Sequence, residues 1–443
     1  MRLRLSEMVA PTTGRILGAD VEIRGMAIDS RRVQAGDLFA ALPGSRVDGH
    51  EYVAQAIGGG AAAALVTRAL DLDCPQLIVP DVRLAMGRIA SHWRSQLAVR
   101  MVGITGSNGK TTVKEMATAV LGAAGPTWAT QGNYNNEIGL PLTLAALEPS
   151  HRYAVIEMGA ARSGDIRYLA EMARPQVGVV TNAGPAHLET MGSIEGVART
   201  KGEMYGALPA DGVAIINADD RFADFWRGLA GQRRVLSFGL SQPADVSARV
   251  QDGRTTVLVA GHEYPFRAAL PGRHNLMNAL TALAINHAFE LPVEPALGAL
   301  ESMHSLPGRL QRRQHAGGWS LIDDTYNANP ASLYAGLQVL AELGGERWLV
   351  LGDMAELGPD SDKLHAEMGQ SAADLGVRRM YCVGLASRYS CEAFGLGARH
   401  FASHDELLEA LRHDLQPGVS CLVKGSRSMA MERIVNGLFE GDA

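Results

Sequence analysis

The run Gly106-Ser107-Asn108-Gly109-Lys110-Thr111-Thr112 packs glycines, a lysine and two threonine hydroxyls into little more than one turn of chain. That is chemistry for phosphate. Glycines let successive backbone N–H groups point at phosphate oxygens, and a helix opening at the same place adds partial positive charge. Lys110 then reaches the β- and γ-phosphates, and the hydroxyl of Thr111 can ligate Mg²⁺. Five residues rather than four separate Gly103 from Gly109, so this is a short T-G-x-x-G-K-T form beginning at Thr105. The competing reading is a Gly-rich strand–helix turn with an incidental lysine. A buried strand before the loop and a helix after it favour nucleoside triphosphate binding.

Other polar residues close apolar runs. Glu157 ends Tyr153-Ala154-Val155-Ile156, where a carboxylate can hold Mg²⁺ or merely cap a helix. His187 lies in the loop after Val177-Gly178-Val179-Val180-Thr181, and beside Glu157 and Thr111 it reads as a metal ligand. Lys201, on a helix, reads by its chemistry alone as a solvated lysine. Asn275 and Asn278 are three apart and share a helix face, where they serve either a base and ribose or core hydrogen bonds. Pro307-Gly308-Arg309 and the stretch from Asp323 to Pro330 are too dense in Asp, Asn, Arg and Tyr to be plain turns.

The elements that must position these groups follow from pattern. From about 99 to 310, short and nearly all-apolar strands alternate with helices, which indicates a parallel sheet covered on both faces. In such sheets ligands bind beyond the carboxyl ends of the strands. Residues 233–266 are rich in Val, Ser and Thr and read as an antiparallel insertion or edge. The α/β alternation resumes after 312. Residues 1 to about 84 read as a small mixed unit, with a helical segment at 51–57 and another at 84–97. The expectation is an α/β chain of three domains: 1–84, small and α/β; 85–311, a central P-loop parallel-sheet ATPase domain; and 312–443, a Rossmann-like α/β C-terminal domain.

Composition narrows the function classes. The 443 residues are 47% hydrophobic and 20% charged, which is a folded chain and not a disordered one. A net charge of −6 lacks the basic footprint of a nucleic-acid binder. Four cysteines (Cys74, Cys382, Cys391, Cys421) are too few and too scattered for a disulfide framework or a zinc site. The start shows no signal-type apolar stretch, and the apolar runs fall far short of the ~20 residues of a membrane span. A cytoplasmic enzyme without membrane insertion is expected.

Taken together, the motifs resemble the Mur ligase family of ATP-dependent amide-bond-forming enzymes. The resemblance runs nearly the whole chain: Thr105 to Thr111, Glu157-Met158-Gly159, Asn182 to Glu189, Lys201-Gly202-Glu203, His274 to Asn278, Pro307-Gly308-Arg309 and Asp324 to Pro330. Gly132 to Gly139, Gly352 to Gly358 and Lys424 to Met429 bring it closest to the members that add D-alanyl-D-alanine to UDP-N-acetylmuramoyl-tripeptide. The D-N-P-R run typical of the tripeptide-forming sibling does not occur. Asp29-Ser30-Arg31, Gly36 to Phe39 and Asp48-Gly49-His50 resemble the family's UDP-sugar recognition domain.

The resemblance implies roles residue by residue. Thr105, Gly106, Ser107, Asn108, Gly109, Lys110, Thr111 and Thr112 would hold the triphosphate of ATP. Thr111 and Glu157 would ligate one Mg²⁺, and His187 would help bind a second. Lys201 would be carbamylated, which turns a cation into a carboxylate-like ligand. Asn275, Asn278, Arg309 and Asp324 would contact adenine, ribose or γ-phosphate. Ser30 and Arg31 would contact UDP, and Asn135 and Asn136 the muramoyl part. Asp353, Glu356, His365, Lys424, Ser426 and Arg427 would surround the incoming dipeptide. A monomer is expected. Two other readings stay open on the residues alone. One is another amide ligase of the superfamily, such as the tripeptide-forming enzyme or a folylpolyglutamate synthase. The other is a P-loop ATPase without ligation, whose ATP turnover would be independent of any acceptor.

Overall fold

A computed structural model describes residues 1–44, 47–185 and 188–440. Among the described residues the chain builds one two-stranded sheet and three larger ones, of five, nine and six strands. The five-stranded sheet uses residues between Arg15 and Ile78, the nine-stranded sheet those between Arg100 and Phe266, and the six-stranded sheet those between Gln311 and Lys424.

The helix α1 (Val82–Ser95) joins the first sheet to the second. Asp81 caps it, its side chain accepting from the Leu84 N–H. Met86, Ile89 and Trp93 on one face of α1 share a core with Leu38, Leu65 and Leu77 of the first sheet. Arg94, near its end, is buried and donates to the carbonyls of Ala173, Leu97 and Val99 at 3.1–3.2 Å. The expected boundary at 84/85 therefore falls inside a continuous helix. The one at 311/312 falls inside the edge strand Gln311–Gln314.

The central sheet holds β1 (Arg100–Thr105), β2 (Tyr153–Glu157), β3 (Val177–Val180) and β4 (Val213–Asn217). β1 lies between β2 and β3, and all four strands run parallel. Their residues alternate between two cores, Val102, Ile104 and Val155 on one face and Met101, Ala154 and Ile156 on the other. Burial on both faces is why these strands read as unbroken apolar runs. The helices α2 (Lys110–Gly122) and α4 (Arg273–Ala288) cover the first face. α3 (Ile194–Gly206) covers the second. Residues 233–266 divide: Arg234–Gly239 joins the sheet in parallel, burying Leu236 and Phe238, and the antiparallel edge begins only after it, with Val246–Gln251, Arg254–Val259 and His262–Phe266. The helical reading of 51–57 also divides, into a 3₁₀ turn at Gly49–Tyr52 capped by Asp48 and a helix at Val53–Gly58.

In the last sheet β5 (Ser320–Asp324) and β6 (Val419–Lys424) are parallel neighbours, with α5 (Pro330–Ala341) following β5. The strands from β5 onward are all parallel, and only Gln311–Gln314 runs antiparallel at one edge.

Arg94 ties the end of α1 to the carbonyls of Leu97 and Val99, which lead into β1, and to that of Ala173. Arg94→Ala is expected to cost roughly 1.5–3 kcal/mol, the range for hydrogen bonds to a charged group, read as a lower urea midpoint at unchanged slope.

Candidate functional site

The carboxyl ends of β1, β2 and β3 and those of β5 and β6 face one cavity of about 1150 Å³. The phosphate loop forms its floor. Gly106 and Gly109 have φ of +149° and +81°, and a Cβ on Gly106 would meet the Thr181 side chain while one on Gly109 would meet Asn278 Oδ1 at 2.7 Å. Only glycine fits both positions.

The end of β3 holds the loop in shape. The Asn108 N–H donates to Asn182 Oδ1 at 3.0 Å, and the Asn108 carbonyl accepts from Thr181 Oγ1 at 2.6 Å and Asn182 Nδ2 at 3.1 Å. The C-terminal unit reaches the same residue, with Asn329 Nδ2 donating to Asn108 Oδ1 at 2.7 Å. Asn329 also caps α5 through Ser332. Its place in the Asp324–Pro330 stretch gave no hint of this contact with the loop.

Lys110 opens α2 and curls over the loop, donating to the Gly106 carbonyl at 2.7 Å. Surrounding protein lowers its pKa, and Arg309 adds to this, while the facing Glu157 works against it. Glu157 is buried, with Oε1 accepting from Asn135 Nδ2 at 2.8 Å and Oε2 lacking any hydrogen-bond partner. Thr130 Oγ1 accepts from the Glu157 N–H at 3.0 Å and fixes the end of β2.

Lys201 overturns its solvated reading. It is 0% exposed, because it lies on the inner face of α3 with Ala198, Met204 and Tyr205. Its Nζ has no hydrogen-bond partner, and burial, reinforced by the charge of Lys110, pushes its pKa well below that of a free lysine. His187 lies outside the described residues. Among the described residues no three His, Cys, Asp or Glu side chains cluster as metal ligands. The donor set implied for Mg²⁺ does not need such a cluster. The unpaired Glu157 oxygen and the Thr111 hydroxyl at the cavity fit a hard cation that completes its shell with phosphate oxygens and water.

Asn275 and Asn278 line the cavity as well as bonding each other, Nδ2 of Asn278 to Oδ1 of Asn275 at 3.3 Å. Arg309 stacks over Tyr326, 4.0 Å from the ring centroid. Asp324 and Lys424, at the adjacent ends of β5 and β6, form a buried ion pair on the cavity wall. Asn135 and Asn136 line the opposite side.

The rest of the group expected around the dipeptide is not brought to the cavity. Asp353 accepts from the N–H groups of Leu385, Ala386 and Ser387 at 2.7–3.0 Å and so anchors the start of helix Ser387–Phe394. His365 is fully buried, its Nε2 accepting from the Met354 N–H at 2.9 Å and its Nδ1 facing the Ser361 carbonyl at 2.8 Å. Ser426 Oγ accepts from the Ala355 N–H at 2.7 Å and faces the Ala328 carbonyl. The hydrogen-bonding capacity of these three holds the C-terminal unit together. Arg427 pairs with Glu432 at 2.9 Å, and neither it nor Glu356 lines the cavity. Ser30 and Arg31 are also away from it: Ser30 donates to Gln55 and Arg31 pairs with Asp29 on the first unit's surface. The cavity adds residues to which the sequence assigned no role, among them His274 and Glu137, which stand inside the quoted motifs, and Arg83 and Tyr168, which do not.

Three family models match: the Mur ligase middle domain over residues 104–286, the Mur ligase glutamate ligase domain over 308–427, and the Mur ligase family catalytic domain over 22–94. The UDP-N-acetylmuramoyl-tripeptide–D-alanyl-D-alanine ligase of Escherichia coli K12 is 42% identical over 98% of each chain. A structure of UDP-N-acetylmuramoylalanyl-D-glutamyl-2,6-diaminopimelate–D-alanyl-D-alanyl ligase from Acinetobacter baumannii is 33% identical over 99% of each chain, with a TM-score of 0.89. MurF ligase from Thermotoga maritima in complex with ADP is 27% identical over 94% of this chain and 97% of that one, with a TM-score of 0.83.

His274, on the wall near Lys424, gives a pH signature. Burial first, and then the charge of Lys424, depress its pKa from 6.5 to about 4. The unfolded chain thus binds more protons between those values, and stability falls as pH drops through that window. His274→Gln is expected to flatten this fall by about 3 kcal/mol, measured by urea unfolding at pH 7 and pH 4.

Proposed function

The chain belongs to the Mur ligase family, and from that premise we propose that it joins D-alanyl-D-alanine to the carboxyl end of UDP-N-acetylmuramoyl-tripeptide at the expense of ATP. The observation that carries this reading is one cavity bounded by three parts of the chain: the triphosphate cradle at Lys110, the buried acid Glu157, and the carboxyl ends of β5 and β6 with Asp324 and Lys424. An ATPase without ligation has no need of the third part.

Amide formation from a carboxylate in water is uphill, and the carboxylate is a poor electrophile. An oxygen of the tripeptide's terminal carboxylate attacks the γ-phosphorus. The bond to the bridging oxygen breaks, ADP leaves, and an acyl phosphate results. The amine of D-alanyl-D-alanine then attacks the acyl carbon. The tetrahedral species loses phosphate and a proton, leaving the amide. Lys110 swings from its loop carbonyls to the β/γ oxygens and offsets charge as the phosphoryl group moves. Asn275 and Asn278 hold the nucleoside, with Arg309 fixed by its stacking on Tyr326. Asn135 orients Glu157. Thr111 and Glu157 would hold a Mg²⁺, with His187 proposed for a second. When bound, Mg²⁺ neutralises phosphate oxygens and eases departure of ADP.

Lys201 is proposed to be carbamylated. A neutral, buried amine attacks the carbon of CO₂ and loses a proton, and the resulting carbamate supplies the negative charge that two neighbouring lysines lack. Ser30 and Arg31, on the outside of the first unit, would meet UDP. The division into 1–84, 85–311 and 312–443 assigns UDP, ATP and the incoming amine to successive units. The acyl phosphate must be kept from water, so the C-terminal unit is proposed to rotate onto the phosphate loop during the cycle, with the Asn329–Asn108 bond as one contact between them. The proposed setting is the cytoplasm, and the proposed form a monomer.

Phosphate release is expected only when UDP-muramoyl-tripeptide and D-alanyl-D-alanine are both present. Lys110→Ala is expected to lower it by about 10³-fold or more. Turnover of equal rate without acceptor would support the ATPase reading instead. For Lys201, native mass spectrometry in bicarbonate is expected to show one added CO₂ that Lys201→Ala loses. An unmodified wild-type mass would contradict the carbamate.

A further inference from the structure

The wall of the cavity nearest the first unit carries charges that the phosphate chemistry does not use. Arg83, in the first turn of α1, lines it with its guanidinium 3.7 Å from Glu137. Both side chains are substantially exposed, at 47% and 40%. Arg162, which pairs with Asp165 at 3.3 Å, also lines the cavity. The Tyr168 phenol stands in the same field: burial raises its pKa, the Glu137 carboxylate adds to this, and Arg83 opposes it. Pairs this long and this exposed contribute little to folding. Their hydrogen-bonding capacity is available to a ligand.

The acceptor must place its terminal carboxyl at Lys110 and Glu157. The α-carbon that bears this carboxyl is one bond away, so the side chain of the same residue has to run along a wall of the same cavity. The nucleoside takes the side of Asn275 and Asn278, and the amine arrives from the side of Asp324 and Lys424. The wall of Arg83 and Glu137 is left. Resting on the ligase reading, we infer that the Arg83–Glu137 pair reads the side-chain end of the acceptor's last residue and fits an end that carries both a carboxylate and an ammonium. The guanidinium takes the carboxylate in a charge-assisted fork, and the carboxylate of Glu137 takes the ammonium. A side chain ending in an ammonium alone satisfies Glu137 but leaves the Arg83 guanidinium without a carboxylate and beside a like charge. Discrimination comes from that unfavourable pairing as much as from the favourable one. Diaminopimelate has the zwitterionic end, and lysine has the single cation.

The test compares kcat/KM for two acceptors, UDP-muramoyl-tripeptide ending in meso-diaminopimelate and the same compound ending in lysine, with ATP and D-alanyl-D-alanine saturating. Wild type is expected to prefer the diaminopimelate acceptor. Arg83→Ala is expected to lower the ratio of the two kcat/KM values by roughly tenfold, mainly through KM. Arg83→Lys, which keeps the charge without the fork, should recover part of the ratio. A merely structural role would lower both acceptors alike and leave the ratio where it was. An unchanged ratio in Arg83→Ala, or no preference in wild type, overturns the inference while ligation itself stands. Absence of ligation with either acceptor overturns the ligase reading and this inference with it.

Discussion

Buried positive charge short of counter-charge is the constraint around which the molecule is organised. Lys110 and Lys201 lie within each other's field, both lowered in pKa by burial, with Glu157 the carboxylate that faces Lys110. Burying cations without partners is costly, and a fold keeps such an arrangement only where a ligand or a modification settles the charge. A polyphosphate does so at Lys110. A carbamate would do so at Lys201. The strands beneath are apolar on both faces, so they contribute rigidity rather than charge, and the loop glycines bring backbone N–H groups to the same point.

The same constraint explains why two sheets face each other. A phosphate site on the central sheet alone would bind nucleotide and hydrolyse it. Here the carboxyl ends of β5 and β6 close the other side, with the Asp324–Lys424 pair on that wall. The Asn329 amide lies on Asn108, whose peptide is already clamped by Thr181 and Asn182. The C-terminal unit therefore touches the phosphate loop directly. A carboxylate activated by phosphate survives only where water is kept away, and a site between units supplies that protection while still admitting substrates.

Some of this was legible in the sequence, and the physical reason is locality. The phosphate loop, Glu157 and the asparagines of α4 stand in short motifs flanked by apolar strands or helix patterns, and each reached the cavity. Parallel strands were legible because burial on two faces leaves unbroken apolar runs. Lys201 was misread on its chemistry because the face a helix buries is set by its neighbours; only the resemblance to the family gave it a role. Asp353, His365 and Ser426 do not line the cavity. A polar side chain looks the same in sequence whether it binds a ligand or ties down backbone, and these three bond to backbone of their own unit, Asp353 and Ser426 just after strands and His365 from within the helix Ser361–Asp374. Arg83 and Glu137 were passed over since they come from segments over fifty residues apart and meet only when α1 packs on the central sheet.

The central claim is that the reacting carboxylate and the γ-phosphate meet in this one cavity and exchange an oxygen. Ligation of D-alanyl-D-alanine to tripeptide labelled with ¹⁸O in its terminal carboxylate tests it most directly. An acyl phosphate requires one labelled oxygen to leave with the released phosphate. Phosphate free of label, with ligation proceeding normally, would contradict the account.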